Sequence, residues 1–379
     1  MQQPSHMMFS GRSTDSQRLA FLDQLKVMLT LLVIFHHAGQ PYGPTGGEWP
    51  IHHAEKLALL GAFFHINASF FMGLFFLISG YFIDAAYQRK GVAAFLTDRF
   101  RQFGIPVMVF SLLFLPLIRH FKQGLPWQES LLPFTWAHLW FLGHLLVYAT
   151  AFALYRHFFK ASTLQPTKLG AVPVNLALLL YALALALVST VVRLWFPIDR
   201  WVNIGVPAEV AHLPQYMSLF LIGIIAAAKR WLDLLTPAIG RLWLALAIAL
   251  VAYRYTYQLY WVDMPELPGL LQGLPWCAWE SLLCVAMCVG LIYLFRQHMN
   301  QMGPVSRFMS RHAFMVYVLH LPILVAVQRA LERSALGPLA LTVASGLLAT
   351  LLSYAMAAVW QTAKAATADK CLHGRAAVN

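Results

Sequence analysis

The chain has 379 residues, of which 59% are hydrophobic and 11% charged, and its formal net charge is +12. Soluble domains average about 25% charged residues, so this composition excludes an ordinary soluble protein and indicates a polytopic membrane protein. The basic balance does not indicate a nucleic-acid partner, and none is expected, because Lys and Arg are distributed as the positive-inside rule describes.

Ten segments are long and apolar enough to span a membrane, which takes roughly 17–25 residues. The sequence therefore predicts an all-α fold, a polytopic membrane helical bundle of about ten transmembrane helices. The predicted spans are 20–39, 57–83, 103–121, 138–158, 174–196, 214–230, 240–261, 276–296, 313–331 and 338–362. Residues 1–18 are polar and lack the apolar core of a signal peptide, and they are predicted to form a cytoplasmic tail, as are residues 364–379.

The orientation of the spans follows from the basic residues. If the N-terminus is cytoplasmic, 19 lysines and arginines fall on the cytoplasmic side and the other eight fall outside. This bias recurs at most alternate loops, so both termini are predicted to be cytoplasmic. The expected location is the cell membrane, specifically an inner membrane, with the lipid bilayer as a partner.

The first span carries a stripe of polar residues along one helix face. Asp23 and Lys26 are neighbours at i, i+3, and the spacing of Lys26, Thr30 and His37 keeps them on the same side. His36 points about 100° away from that stripe. Ionisable groups inside a membrane are functional candidates, although two histidines at a helix end can also be an interfacial pair solvated by lipid head groups.

Other polar residues interrupt the later spans. His65 lies in an apolar run of the second span, and Glu280 lies about one turn inside the eighth. A carboxylate there needs a partner, although it can also reach interfacial water. His320 precedes a proline and can simply bond a carbonyl freed by the kink, and Trp140 can be an ordinary member of the interfacial aromatic belt.

Arg99 and Arg101 precede the third span on the cytoplasmic side, where they fit either a topology anchor or a phosphate site. Ser79 and Gly80 are more typical of close helix packing than of chemistry. The chain has no HExxH and no CxxC motif, so no metal is expected.

The chain resembles the acyltransferase 3 family of integral membrane O-acyltransferases, and in particular its glucan-modifying branch. The resemblance extends from Arg18 to about Trp360, which makes 19–363 the expected transmembrane acyltransferase domain. It rests on an ordered set of stretches: LDQLKVMLTLLVIFHHAGQPYG, FFLISGYF, RFRQFGIPV, HLWFL, WESLLC and FMVYVLHLPILV. Two positions depart from the family pattern: Lys26 replaces an arginine, and Arg99-Phe-Arg101-Gln102 replaces an R-x-x-R pair.

The resemblance implies transfer of an acyl group, acetyl or succinyl, from acyl-CoA to a carbohydrate hydroxyl. Acyl-CoA would be a donor substrate, and no bound cofactor is expected. His37 would be the general base and Glu280 the group that orients it. The other roles implied are donor binding by Lys26, Arg99 and Arg101, and acceptor binding by His36, Tyr42, His65, Trp140 and His320.

Two other classes of protein remain open at the level of residues. A proton-coupled secondary transporter would use His37, His65 and Glu280 as a relay, but the inverted repeat typical of such proteins is not evident. A non-catalytic membrane scaffold would explain neither His37 nor Glu280.

Overall fold

The structure is a computed structural model that describes residues 20–44, 49–123, 125–131, 136–159, 173–203, 205–260 and 270–376. The α-helices in chain order are α1 (Ala20–Gly39), α2 (Ala58–Arg99), α3 (Ile105–Val109), α4 (Leu115–Gln123), α5 (Trp127–Ser130), α6 (Trp140–Phe158), α7 (Val174–Arg193), α8 (Leu213–Ala228), α9 (Pro237–Tyr260), α10 (Leu270–His298), α11 (Pro304–Leu331) and α12 (Pro338–Ala376). The π-helical stretches Phe100–Gly104 and Phe110–Phe114 flank α3. Strands β1 (Trp201–Asn203) and β2 (Pro207–Glu209) form an antiparallel hairpin. The predicted tail 1–18 lies outside the described residues, and α12 runs through Lys364 to Ala376.

Each of the ten predicted spans coincides with a helix. Within the described ranges, nine continuous helical segments are long and apolar enough to cross a membrane, and one of them, Ala58–Leu117, contains two predicted spans. Those two are separated at Gly91, whose φ of 72° is a backbone conformation that residues with a side chain rarely adopt. The polytopic helical bundle is therefore confirmed.

The outer surface of the bundle suits a lipid environment. On α7, the side chains of Leu180, Leu183 and Leu187 are 53%, 49% and 58% exposed, whereas Ala182 and Ala186 face inward and are buried. A soluble helix would place its leucines inward and its polar residues outward. The reversed arrangement is stable when the surrounding medium is hydrocarbon, so the chain is a multi-pass membrane protein.

Helices α2 and α8 approach each other until their backbones touch. A Cβ atom added at Gly80 would collide with the carbonyl oxygen of Phe220, and one added at Gly223 would collide with the carbonyl oxygen of Leu77. Small residues allow such close contacts in membranes. The helix-packing interpretation of Gly80 is therefore confirmed.

Helix α1 occupies a central position, since α2, α10, α11 and α12 all pack against it. Its apolar side chains Leu25, Leu29 and Val33 are buried in the main core cluster, which extends over α2, α6, α8 and α10. On the polar stripe of α1, Thr30 is buried by these neighbours, whereas the side chains of Asp23 and Lys26 are each 38% exposed.

Candidate active site

His37 lies at the end of α1 among aromatic rings. Its imidazole is nearly parallel to the indole of Trp49, with ring centroids 5.4 Å apart, and to the imidazole of His320, at 5.5 Å. The Nδ1 atom of His37 is enclosed and has no hydrogen-bond partner among the described residues, while part of the side chain remains accessible. His37 thus combines a fixed ring plane with an unengaged nitrogen.

Two further histidines, His138 and His320, complete a three-histidine cluster with His37. The rings of His138 and His320 are 4.8 Å apart and perpendicular. Nδ1 of His320 donates to the carbonyl of Tyr317 (2.6 Å), and Nε2 of His138 donates to the carbonyl of Val318 (3.1 Å). A carbonyl only accepts hydrogen bonds, so these contacts fix both tautomers and leave His320 Nε2 and His138 Nδ1 as free acceptors.

A side-chain bridge holds Trp49 over the end of α1. The indole Nε1 of Trp49 donates to Oε1 of Gln328 (2.8 Å), and Nε2 of Gln328 donates to the carbonyl of Ala38 (3.1 Å). The last carbonyls of a helix lack partners within that helix, and Gln328 satisfies one of them. Because Ala38 follows His37 directly, the bridge ties Trp49 to the helix that carries His37.

A cavity of about 700 Å³ begins at the opposite end of α1. Its mouth carries Lys26, Arg89 and Arg99, and its inner end reaches Thr30 and Tyr317. Nε of Arg99 is enclosed and has no hydrogen-bond partner within the described ranges. Apolar side chains line most of the space between, from α2, the π-helical segment, α6, α8 and α11. The cavity is therefore basic at its mouth and apolar inside.

The inner end of the cavity approaches the three-histidine cluster. Tyr317 lines the cavity, and its hydroxyl donates to the backbone carbonyl of His138 (2.6 Å). Thr30 lies seven residues before His37, which corresponds to roughly 10 Å along an α-helix. A ligand that enters at the basic mouth and extends beyond the inner end of the cavity would therefore be directed toward His37.

Of the three predicted donor-binding residues, Lys26 and Arg99 line the cavity, but Arg101 does not. Lys26 forms an ion pair with Asp23 (2.6 Å), as the i, i+3 spacing indicated. Arg101 is exposed, because two residues of helix turn its side chain by about 200° from that of Arg99. Arg101 is therefore not part of the cavity lining in this geometry, and Arg89 lies at the mouth instead.

Glu280 belongs to a separate cluster. Both of its carboxylate oxygens bind the guanidinium of Arg193, one of them at 3.1 Å, and Oε1 also lies 3.4 Å from Nδ1 of His212. The predicted contact between Glu280 and His37 does not occur among the described residues. The physical reason is the nearby arginine, because a buried carboxylate is stabilised far more by a bidentate guanidinium than by an imidazole.

The predicted acceptor-binding residues fall into different surroundings. His320 lies beside His37, and His36 packs against Phe63, Phe64 and Phe71. The residues outside the immediate surroundings of His37 are Tyr42, which is buried in a small apolar cluster, His65, which contacts Arg254, and Trp140, which packs against Trp201 and Tyr216.

The comparisons with known proteins identify the family. The family model for the acyltransferase domain, Acyl_transf_3, matches residues 19–358. The chain belongs to this acyltransferase 3 family. It is similar to the glucans biosynthesis protein C of Escherichia coli strains K12, SMS-3-5 and O81 (ED1a), with 28% identity over 260 residues in each case. The matched stretch covers 63% of this chain and 66% of each relative, just under two thirds of the relatives' own length. No solved structure matches the chain.

Four residues around the site were not predicted from the sequence: Trp49, Arg89, His138 and Gln328. Gln328 had a usable signal, since it is an amide within an otherwise apolar run of the ninth span. Arg89 lies between two predicted spans and His138 begins another, and no pattern set either residue apart. Trp49 follows a glycine-rich stretch of the sequence and carried no signal of its own.

Proposed function

We propose that this protein is a membrane-bound O-acyltransferase that moves an acyl group, acetyl or succinyl, from acyl-CoA to a carbohydrate hydroxyl. The observation that carries the proposal is the cavity along the polar stripe of α1, with a basic mouth at one end and the three-histidine cluster beyond the other. Membership of the acyltransferase 3 family supports the reaction class.

The donor half of the site has the chemistry that acyl-CoA requires. Its phosphates would bind Lys26, Arg89 and Arg99 at the mouth, because guanidinium and ammonium groups form strong charge-assisted hydrogen bonds with phosphate oxygens. The apolar interior would hold the pantetheine arm, and the thioester would extend past Thr30 and Tyr317 to the hydroxyl activated by His37. Acyl-CoA is a substrate in this scheme, and no resident cofactor takes part.

The acceptor half lies around His37 and Trp49. A sugar hydroxyl is a weak nucleophile, and a neutral imidazole removes its proton as the oxygen attacks the thioester carbonyl. The new C–O bond forms, the C–S bond breaks, and the imidazolium returns the proton to the departing thiolate. The name of the Escherichia coli relatives, glucans biosynthesis protein C, supports a glucan as the acceptor.

The orientation of the site follows from the proposed topology. With both termini in the cytoplasm, the basic mouth faces the cytoplasmic pool of acyl-CoA, and His37 lies near the outer surface. An inner membrane is the location in which such a protein meets both substrates.

The competing proposal of a proton-coupled transporter has less support. Its relay required His37, His65 and Glu280 to act together, yet Glu280 is engaged by Arg193 and His65 by Arg254. Family membership also favours group transfer over transport.

The test is acyl transfer by the purified protein from labelled acetyl-CoA or succinyl-CoA to a glucan. His37→Ala is expected to reduce turnover by about 10²–10⁴, the usual contribution of a general base. The matched control is His36→Ala, which removes the neighbouring imidazole and is expected to keep much of the activity. Turnover by His37→Ala equal to that of the unmodified protein would refute the mechanism.

A further inference from the structure

Arg254 is a buried arginine with unused hydrogen-bond donors. It lies in the last third of α9, and its side chain is only 5% exposed. Its Nη2 atom contacts Nδ1 of His65 (2.8 Å) and Oε1 of Gln258 (2.9 Å). Its Nε and Nη1 atoms are enclosed and have no partner among the described residues.

A third unused donor adjoins the arginine. The guanidinium of Arg254 lies over the ring of Trp276, 5.3 Å from its centroid, and the indole Nε1 of Trp276 is likewise enclosed without a partner. His65 packs edge-on against the same indole, at 5.1 Å. Among the described residues, the acceptors that contact Arg254 are on His65 and Gln258, and both are occupied by Nη2. The place therefore offers four N–H groups on three nitrogen atoms and lacks, among the described residues, the acceptors that would satisfy them.

The charge of Arg254 also lacks a counterion within the described ranges. Carboxylates pair there with five other arginines: Arg156, Arg193, Arg230, Arg296 and Arg329. The closest comparison is Arg193, which is similarly buried at the end of α7 and is fully engaged by Glu280. Charged groups inside a membrane are costly and are typically retained for function, so an uncompensated guanidinium points to an anionic ligand.

Building on the proposed function, we propose that Arg254 and Trp276 bind an oxyanion, a carboxylate or phosphate ester, carried by the glycan acceptor. The location favours the acceptor over the acyl group. His36 packs on Phe64 of α2, and the next residue of α2, His65, contacts Arg254 from a different face of that helix. A short acyl chain bound beside His37 would not extend to Arg254, whereas a glycan that extends beyond His36 along α2 would reach it.

The recognition is both electrostatic and geometric. The free Nε–H and Nη1–H of Arg254 donate to anionic oxygens, and the indole N–H of Trp276 donates to the same group or to a neighbouring sugar hydroxyl. Hydrogen bonds to charged groups are the strongest of their kind in proteins, and losing one reduces affinity by about 10- to 100-fold. The site would thus select acidic over neutral glycans.

The experiment compares a neutral glucan oligosaccharide with the same oligosaccharide carrying a phosphate or carboxylate group, using protein in nanodiscs. The measured quantity is the ratio of the two kcat/KM values. We expect the unmodified protein to prefer the acidic glycan and Arg254→Gln to lower the ratio at least tenfold, with partial rescue by Arg254→Lys. Trp276→Phe retains the aromatic ring and should lower the ratio less. The control is the exposed Arg329→Gln, which should leave the ratio unchanged.

Two results would overturn the proposal. One is an unchanged ratio in Arg254→Gln, whether or not both glycans lose activity equally. The other is an effect that follows the donor, appearing with succinyl-CoA and not with acetyl-CoA. If Arg254→Gln does not fold, Arg254→Lys and Trp276→Phe decide the matter by the same ratio.

A binding measurement separates this inference from the proposed function. Stabilisation against thermal unfolding by the acidic oligosaccharide needs no catalysis, and it should be lost in Arg254→Gln. If the protein transfers no acyl group to any glycan but keeps this Arg254-dependent stabilisation, the proposed function fails and the anion site stands. Absence of the stabilisation in the unmodified protein would overturn the site.

Discussion

The Gln328 bridge allows a direct test of how His37, the proposed general base, is positioned. Replacing Gln328 by Met keeps the length of the side chain but removes both hydrogen bonds, the one from Trp49 and the one to the Ala38 carbonyl. Gln328 is fully buried, so water does not readily replace it. Trp49 would then lose the anchor that keeps its indole parallel to His37.

The expected magnitude follows from two lost bonds. Interhelical hydrogen bonds in membrane proteins contribute about 0.6 kcal/mol on average and up to about 1.7, so Gln328→Met should lower the free energy of unfolding by about 1–3 kcal/mol. The free energy of unfolding of a folded protein is typically about 5–15 kcal/mol, so the variant should remain folded. A misplacement of about 1 Å can nevertheless cost about 10² in rate, and we expect kcat to fall 10- to 100-fold.

The assay measures kcat and both KM values beside thermal unfolding in detergent. Gln361→Met is the matched control, because Gln361 also donates to a backbone carbonyl, that of Arg311 in α11, but is only partly buried and makes no contact with Trp49 or Ala38. Trp49→Phe keeps the ring and removes the N–H, and its effect should not add to that of Gln328→Met, because both break one bridge. A folded Gln328→Met protein with unchanged kcat would refute the positioning role.

Two further predictions concern packing and the donor. Gly223→Ala should lower the free energy of unfolding of the detergent-solubilised protein by about 1–3 kcal/mol, because the added methyl group meets the Leu77 backbone. Gly303→Ala is the control and should have no such effect, because its methyl group meets nothing within 4 Å. Equal effects of the two substitutions would contradict the packing argument. Replacing Arg89 and Arg99 together by Gln should raise the KM for acyl-CoA tenfold or more, with little change in the KM for the glycan. Arg101→Gln should change neither KM. Equal shifts of the KM for acyl-CoA in the two proteins would refute the placement of the donor phosphates at Arg89 and Arg99.

The spans were predictable because every one of them must meet the same length and hydropathy requirement. The contacts along α1 were predictable for a similar reason, since i, i+3 and i, i+4 spacing fixes neighbours within a helix. The ion pair of Asp23 with Lys26 and the bond from the Thr30 hydroxyl to the Lys26 carbonyl both follow from it.

The rest of the site depends on contacts between distant parts of the chain. Arg193 and Glu280 are 87 residues apart, and no spacing along the sequence connects them. Arg89, and not Arg101, lines the cavity mouth. Its position there depends on the backbone turn at Gly91, which spacing along one helix does not reveal. Contacts of this kind are set by which helices pack together, and one sequence does not specify that.

The position of the cavity has a consequence for the energetics of transfer. In the proposed mechanism the donor enters at one end of α1 and the acceptor meets His37 near the other, so the acyl group would travel through the membrane's electric field while coenzyme A stays behind. An acetyl group is neutral and is unaffected by that field. A succinyl group carries one negative charge outward, and a potential that is negative inside would favour its complete passage by about 2.3 kcal/mol per 100 mV. With the same protein and the same bond chemistry, succinyl transfer would then respond to membrane voltage and acetyl transfer would not.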